Sequence, residues 1–215
     1  TKVSMKIKLL LVLSLCVFIA NAQTEKNPRI KYNFNPSWKM FVGDDSLAST
    51  FSYNDASWKP VTLPHAFNED EAFKVSIEKH SSGIIWYRKH FIISPDFVGK
   101  KVFIEFEGVR QAGEIFLNGK SIGISENGIM AFGFDISNYV KFGEENVIAA
   151  RIDNSWNYRE KATNSGFQWN DKNFNANYGG ISKNVYLHVA DKLYQTLPLY
   201  SNLKTTGVYV YAKDF

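Results

Sequence analysis

The most regular hydrophobic pattern in the chain lies in residues 102–124. At its start, apolar residues alternate strictly with their neighbours, and a period of two predicts a half-buried β-strand. One face of this strand consists of Val102, Ile104 and Phe106, and the other of Phe103, Glu105 and Glu107. We interpret the stretch as the middle of an antiparallel sheet, with the two glutamates as solvated carboxylates on an exposed face.

A β-hairpin is predicted directly after this strand. Ile115 and Leu117 form the apolar face of the next alternating segment, which ends in Asn118-Gly119. Asn-Gly is the strongest short-range hairpin signal, because both residues of the tight turn take a positive φ. The segment from residue 120 to residue 124 is then the returning strand.

Further segments on both sides of this hairpin predict more strands. They cover residues 38–42, 61–63, 84–93, 131–136, 146–153 and 184–189. Segment 84–93 is apolar on both faces, which is typical of a central strand, and a buried Arg88 in its middle needs an anionic partner. Glu107 and Asp153 are the candidates for this partner. Eight or more short strands without a helical period predict an all-β fold, an antiparallel jelly-roll β-sandwich.

The first 22 residues read as a secretory signal peptide. Lys6 and Lys8 precede an apolar run at 9–20, and small residues surround a cleavage point before Gln23. The apolar run is shorter than the roughly 20 residues that a membrane-spanning helix needs. We therefore expect an exported protein, periplasmic or extracellular, with no membrane contact after cleavage.

The rest of the chain divides into four predicted parts. Residues 23–34 are an extended lead-in, 35–190 form the sandwich domain, and 191–204 are a linker. Residues 205–215 begin a fresh alternating strand without a later strand to pair with. Because a lone strand is not stable, we interpret it as the start of a second domain that this sequence does not complete.

Charge and cysteine content narrow the function classes. The net charge of the sequence is +4, and removal of Lys2, Lys6 and Lys8 with the signal peptide lowers it to +1. Such a balance gives no basic surface for nucleic acid. The single cysteine, Cys16, lies in the signal peptide, so no disulfide is expected in the exported protein. No metal-ligand spacing or nucleotide motif is present, and we expect no cofactor.

An ordered set of short motifs resembles the N-terminal sugar-binding domain of glycoside hydrolase family 2, over about residues 35–190. The set comprises Trp38, SWKPV at 57–61, LPH at 63–65, WYRK at 86–89, FEGV at 106–109, LNGK at 117–120, FDI at 134–136, NVI at 146–148, DN at 153–154 and YGGI at 178–181. Residues 182–184 depart from the aromatic, Arg and Asp that the family usually has there.

The resemblance implies a galactose-binding-domain-like jelly roll that packs on an immunoglobulin-like domain, begun at 205–215, and on a (β/α)8 barrel. In that family the barrel carries the acid/base and nucleophile glutamates of a retaining mechanism, about 5 Å apart. This sequence offers no such pair, so we expect the chain alone to be inactive. The parent is expected to be an exported β-galactosidase, with β-glucuronidase and β-mannosidase as alternatives. A free-standing carbohydrate-binding module and a purely structural domain also remain open.

Two polar loops are the candidate substrate-binding residues, since loops of this domain help to form the sugar subsite in the family. Amide and carboxylate groups bind sugar hydroxyls, and an aromatic ring offers a flat apolar face. The first loop, 153–177, contributes Asp153, Asn154, Arg159, Trp169, Asp171, Asn173 and Asn175, and the second contributes Asn68 and Asp70. The competing interpretations are a self-capped surface loop for the first and an ordinary acidic loop for the second.

Overall fold

The computed structural model describes residues 29–166 and 176–196, and within these ranges the protein is an all-β sandwich of antiparallel strands. Short 3-10 segments are the only helical elements in these two ranges. The strands are β1 (Arg29–Asn33), β2 (Trp38–Val42), β3 (Lys59–Val61), β4 (His65–Ala66), β5 (Ile84–Ile92), β6 (Lys101–Phe106), β7 (Ala112–Leu117), β8 (Lys120–Ser125), β9 (Phe132–Asp135), β10 (Glu145–Asp153), β11 (Gly180–Ile181) and β12 (Val185–Ala190).

Two sheets form the layers of the sandwich. One has four strands in the order β1-β12-β6-β9, and the other has six in the order β3-β2-β5-β10-β7-β8. A small third pair, β11-β4, lies beside them. The core is built from apolar side chains of both layers, among them Trp38, Tyr87, Ile104, Phe106, Ile115, Ile148 and Leu187. Burial of this apolar area is the main force that holds the two layers together.

Several predicted strands are confirmed. Strand β2 has the predicted bounds, and β5 and β10 differ from theirs by a single residue at one end. The predicted hairpin is also present, because β7 pairs with β8 across Asn118 and Gly119, whose φ angles are 52° and 84°. Strand β3 begins two residues before its predicted position.

The chain changes sheets between β6 and β7, so the single sheet predicted for residues 102–124 is wrong. Strand β6 lies in the four-stranded layer, and the β7-β8 hairpin lies in the six-stranded layer. Both faces of β6 are buried, since Glu105 on its outer face is only 6% exposed. This carboxylate contacts His188 Nε2 and lies 3.6 Å from Lys31 Nζ. Its interpretation as a solvated group is therefore also wrong, because burial depends on neighbouring strands that the alternation does not reveal.

A loop covers the outer face of the six-stranded sheet and forms a second small core. Trp58 of this loop packs with Trp86 of β5 and Ala149 of β10. Arg88 on the same face of β5 binds Asp55, with 2.9 Å between Nε and Oδ2. The predicted partners of Arg88, Glu107 and Asp153, are wrong, because a loop 33 residues earlier in the chain folds over this face and brings its own carboxylate.

The N-terminal part of the described chain contributes an edge strand to the sandwich. Strand β1 lies within the segment predicted as a lead-in, and it extends the sandwich by pairing with β12. The predicted signal peptide at 1–22 and the predicted strand at 205–215 lie outside the described residues. In the part of the chain that the structure describes, no helix is long and apolar enough to span a membrane.

Candidate functional site

The two candidate loops meet at one end of the six-stranded sheet. Strand β10 ends there at Asp153, and its antiparallel neighbours β5 and β7 begin there at Ile84 and Ala112. The β4-β11 pair lies at the same end, because Gly180 of β11 forms a bridge with Arg110, just before β7. We call this end of the sandwich the polar rim.

Three asparagines, Asn68, Asn154 and Asn177, form a buried amide cluster beneath the polar rim. Each is at most 2% exposed. The Asn154 and Asn177 side chains donate to each other's backbone carbonyls, at 3.1 Å and 2.6 Å. Asn68 Nδ2 also donates to the Asn177 carbonyl, at 2.9 Å. The cluster thus ties both candidate loops to each other.

Other polar atoms of Asn68 and Asn154 bind the backbone of adjacent segments. Asn154 Oδ1 accepts from the Gly83 N–H at 2.8 Å, and Asn68 Oδ1 accepts from the Gly179 N–H at 3.1 Å. Asn68 Nδ2 also donates to the carbonyl of Ser81 at 2.8 Å. Buried amides satisfied in this way hold backbone segments in one arrangement. The structure thus places the predicted residues Asn68 and Asn154 beneath the rim, where they position its loops.

The other predicted residues lie around this cluster or outside the described residues. Asp153 is half-buried and accepts from the Ser155 N–H at 2.9 Å. Arg159 is exposed, and its Nη1 donates to the Asn164 carbonyl at 2.8 Å. Asp70 is exposed in a short 3-10 segment. Four predicted residues fall outside the described ranges, namely Trp169, Asp171, Asn173 and Asn175.

Two rim residues, Arg110 and Gln111, were missed by the sequence analysis. Arg110 Nε donates to Asn177 Oδ1 at 3.2 Å, whereas its Nη2 is buried without a hydrogen-bond partner. Gln111 is 0% exposed, and both polar atoms of its amide lack a partner. One feature of the sequence could have identified them, since a charged residue and an amide stand directly before an apolar strand. Polar groups left in this state are rare in folded proteins and call for an explanation.

His65 and Tyr87 form a buried pair next to the rim. His65 Nδ1 lies 2.9 Å from the Tyr87 hydroxyl. Burial lowers the pKa of His65 and raises the pKa of Tyr87, so both side chains are neutral at pH 7. Gly180 lies against this pair, with the His65 carbonyl only 2.7 Å from the position that a Cβ would take. The pair therefore packs the base of the rim.

The described residues hold no metal cluster, and the glutamates at 105 and 107 bind other side chains of the sandwich. No group of three His, Cys, Asp or Glu side chains that would suit a metal ion occurs among them. Glu105 binds His188, and Glu107 accepts from Asn184 Nδ2 at 2.9 Å, so both of these glutamates are engaged within the sandwich. The rim therefore offers hydrogen-bonding amides, the guanidinium of Arg110 and the carboxylates of Asp70 and Asp153.

The comparisons with known proteins agree on one family. The model of the sugar-binding domain of family 2 glycosyl hydrolases matches residues 43–191. A β-glucuronidase of Formosa agariphila is 43% identical over 195 residues, which are 86% of this chain and 20% of that protein. A β-galactosidase of Bacteroides ovatus is 33% identical over 135 residues, 60% of this chain and 16% of that protein.

The solved structures support the same assignment. The structure of a β-glucuronidase from glycoside hydrolase family 2 superposes with a TM-score of 0.77 and 40% sequence identity, over 87% of this chain and 20% of that one. The chain thus spans about a fifth of the length of these relatives. On the matched family model, this identity and this superposition, the chain belongs to glycoside hydrolase family 2, as its N-terminal sugar-binding domain.

Proposed function

We propose that this chain is the non-catalytic sugar-binding domain of an exported, retaining β-glycosidase, and that the parent enzyme is a β-glucuronidase. The observation that carries a sugar-binding role is the polar rim itself. There the amide cluster fixes the loops, while Nη2 of Arg110 and the side-chain amide of Gln111 have no hydrogen-bond partner. A site built to hydrogen-bond a sugar discriminates strongly, because an analogue without the right groups leaves buried polar atoms unpaired.

The preference for a glucuronidase replaces the β-galactosidase favoured by the sequence analysis. Its support is the degree of similarity, since the Formosa β-glucuronidase is 43% identical over 86% of this chain, against 33% over 60% for the Bacteroides ovatus β-galactosidase. The catalytic glutamates belong to the barrel that the family places after this domain. The domain contributes binding groups at the edge of that barrel's active site, and its partners are the sugar and the barrel itself.

Export of the parent is part of the same proposal. Its support is the basic start, short apolar run and small residues at positions 6–22. An exported glycosidase meets glycans outside the cytoplasm, and the sandwich has no disulfide that an oxidising compartment would need to form. Mass spectrometry of protein from the culture supernatant and the periplasm, with Gln23 as the expected first residue, tests this part.

The experiment that tests the main proposal uses the polypeptide extended downstream to the length of its relatives. We expect it to hydrolyse p-nitrophenyl β-D-glucuronide at least about tenfold faster than the β-D-galactoside, and the 215-residue chain to hydrolyse neither. A preference for the galactoside in the extended protein would instead restore the β-galactosidase as the parent.

A second candidate function, a free-standing carbohydrate-binding module, is favoured only by the unpartnered polar atoms of the rim. The two candidate functions predict different results when the chain is tested alone for glycan binding. A module binds oligosaccharides tightly enough to be retained on a glycan column by itself, and Trp169→Ala abolishes this retention. Flat titrations of the chain against a glycan panel would remove this second candidate and leave the first intact.

A further inference from the structure

A cavity of about 500 Å³ lies between the two layers of the sandwich, beside the half of β5 that is farther from the polar rim. Residues of β1 and β12 line one side of it, and residues of β5 line the other. Its walls are mostly apolar and include Phe34, Phe91, Ile93, Phe97, Leu187 and Val189. Small-molecule sites in proteins have this size and this kind of lining, together with a few polar groups. The cavity therefore suits a ligand with an apolar body.

The cavity is open to solvent along one edge. Two of the residues that line it, Tyr32 and Ile92, are 39% and 69% exposed. The Tyr32 ring stands beside the ring of Phe97, with 6.4 Å between their centroids. Tyr32 lies on β1, which is the edge strand of the four-stranded sheet. A small molecule can thus enter from this edge without separation of the two layers.

Lys89 brings a positive charge to the wall of this cavity. Its Nζ donates to the carbonyls of Phe34, at 3.2 Å, and of Pro36, and it lies 4.3 Å from the centre of the Phe34 ring. These contacts hold the amine in place, but in the part of the chain that the structure describes no carboxylate contacts it. Burial lowers the pKa of Lys89 to about 8, so the amine is charged at pH 7 but poorly solvated. A buried charge in this state gains most from an opposite charge.

A second cavity, of about 330 Å³, shares wall residues with the first and is polar. The residues common to both cavities are Ser37, Lys89 and His90. The other residues that line the second cavity are Lys39, Asp55 and Arg88. The carboxylate of Asp55 already pairs with Arg88 at 2.9 Å and with Lys39 at 2.7 Å. The acidic side chain of this cavity is thus engaged elsewhere, and the wall that the two cavities share carries an excess of positive charge.

We propose that these two cavities bind a small amphipathic carboxylate, with its aromatic or acyl body in the apolar cavity and its carboxylate paired with Lys89 at the shared wall. A neutral molecule of the same shape fills the apolar cavity but leaves the charge unpaired. Acetate supplies the charge but has no body to fill the cavity. This binding site does not depend on the sugar-binding role proposed above.

Binding is tested on the 215-residue chain by NMR at pH 7 and constant ionic strength. The methyl signals of Leu187 and Val189, assigned from Leu187→Ile and Val189→Ile, are followed while sodium 3-phenylpropionate, 3-phenyl-1-propanol or sodium acetate is added. We expect saturable shifts with 3-phenylpropionate, binding of the alcohol that is weaker by about tenfold, and no shift with acetate. The absence of saturable shifts with 3-phenylpropionate, or equal affinity for the alcohol, would overturn the proposal.

Variants separate recognition of the charge from the integrity of the cavity. Lys89→Met keeps an unbranched apolar side chain of similar length, so it should weaken 3-phenylpropionate binding by about tenfold and change binding of the alcohol by less than about twofold. An equal change for both ligands would contradict the role of Lys89. Tyr32→Ala, at the open edge, should weaken both ligands alike, because it removes apolar contact area. Lys161→Met, which removes an exposed lysine bound to Glu114, is the control and should leave binding unchanged.

The polypeptide extended downstream distinguishes a free ligand from a segment of the protein itself. Calorimetric titration with 3-phenylpropionate should give the same affinity as for the 215-residue chain, within about threefold. If the 215-residue chain binds 3-phenylpropionate and the extended polypeptide does not, a downstream segment fills the cavity and the proposal fails. Neither result bears on the proposed glycosidase function, which is decided separately by the hydrolysis of glycosides.

Discussion

The carboxylate of Asp55 lies 2.9 Å from Nε of Arg88, and this buried pair fastens a long loop to the central strand of the six-stranded sheet. The same carboxylate accepts from Lys39 Nζ at 2.7 Å and contacts His90 Nε2 at 2.9 Å. Arg88 also donates to the carbonyl of Thr50 at 3.0 Å. One acidic side chain thus pairs with both Arg88 and Lys39 and holds the loop that covers the outer core.

Loss of this carboxylate should destabilise the domain strongly. Asp55→Asn leaves Arg88, which is 0% exposed, without an anionic partner, and breaking a buried pair on one side costs about 3–5 kcal/mol. We expect a loss of this size in the free energy of unfolding, measured by urea denaturation at pH 7. Asp70→Asn, at an exposed position, is the control and should change the free energy of unfolding by less than about 0.5 kcal/mol.

Asp55 should also make the stability of the domain depend on pH in the acid range. Burial works to raise the pKa of Asp55, but hydrogen bonds from Lys39, Arg88 and His90 outweigh it and lower the pKa to about 2. Because the folded pKa lies below the ordinary value of about 3.9, the stabilisation is complete above pH 4 to 5 and is lost as pH falls towards 2. Wild-type and Asp55→Asn stabilities should therefore converge over this interval. Parallel curves from pH 5 to pH 2 would show that Asp55 is not the group that titrates.

The amide cluster should control the order of the rim. Asn154→Ala leaves the Gly83 N–H and one hydrogen bond to Asn177 unmade, at a cost of about 2–3 kcal/mol. We expect that loss in the free energy of unfolding, together with faster hydrogen exchange at the Gly83 amide. Asn157→Ala, which changes an exposed asparagine three residues later, is the matched control. Unchanged exchange at Gly83 in Asn154→Ala would mean that the cluster does not hold this segment.

Lys89 should make the domain more stable in mild alkali. Its buried amine donates to the Phe34 carbonyl at 3.2 Å, and burial lowers the pKa of Lys89 to about 8. The unfolded chain holds this proton up to about pH 10.4, so the unfolded state binds more protons between pH 8 and 10 and stability rises with pH there. Relative to Lys89→Met, the wild type should gain about 1–3 kcal/mol over this interval. A difference that stays constant in pH-dependent denaturation would refute the assignment.

Gly180 should not tolerate a side chain. Its φ is +138°, and a Cβ would lie 2.7 Å from the His65 carbonyl and closer still to the Tyr87 hydroxyl. Gly180→Ala should therefore cost about 2–4 kcal/mol, from the clash and the left-handed backbone together. Gly99→Ala is the control, because Gly99 also has a positive φ, +81°, but faces open space. Equal losses in the two variants would leave no role for the close contact at Gly180.

The local pattern of the sequence predicted the strands and the hairpin, because these depend on side chains a few residues apart. Alternation identified β2, β5 and β10, and Asn118-Gly119 identified the turn. The ordered motifs identified the family, since they sample the whole length of the domain. The sequence pattern also identified the amide-rich loops, but it could not predict that their side chains are buried. Their burial depends on contacts between distant residues, since Asn154 and Asn177 are 23 residues apart in the chain and Asn68 and Asn177 are 109 apart.

The sequence by itself therefore determined the class of fold and the family, whereas its candidate sugar-binding residues stay a prediction. Only the tertiary structure decided which residues support the polar rim and which remain unpaired in it. Asp55 replaced the expected partners of Arg88, Glu105 proved buried, and Arg110 and Gln111 emerged at the rim. The physical reason is common to all of them. Charge neutralisation and hydrogen-bond satisfaction depend on which segments lie next to each other in space, and in this sandwich those segments are far apart in the chain.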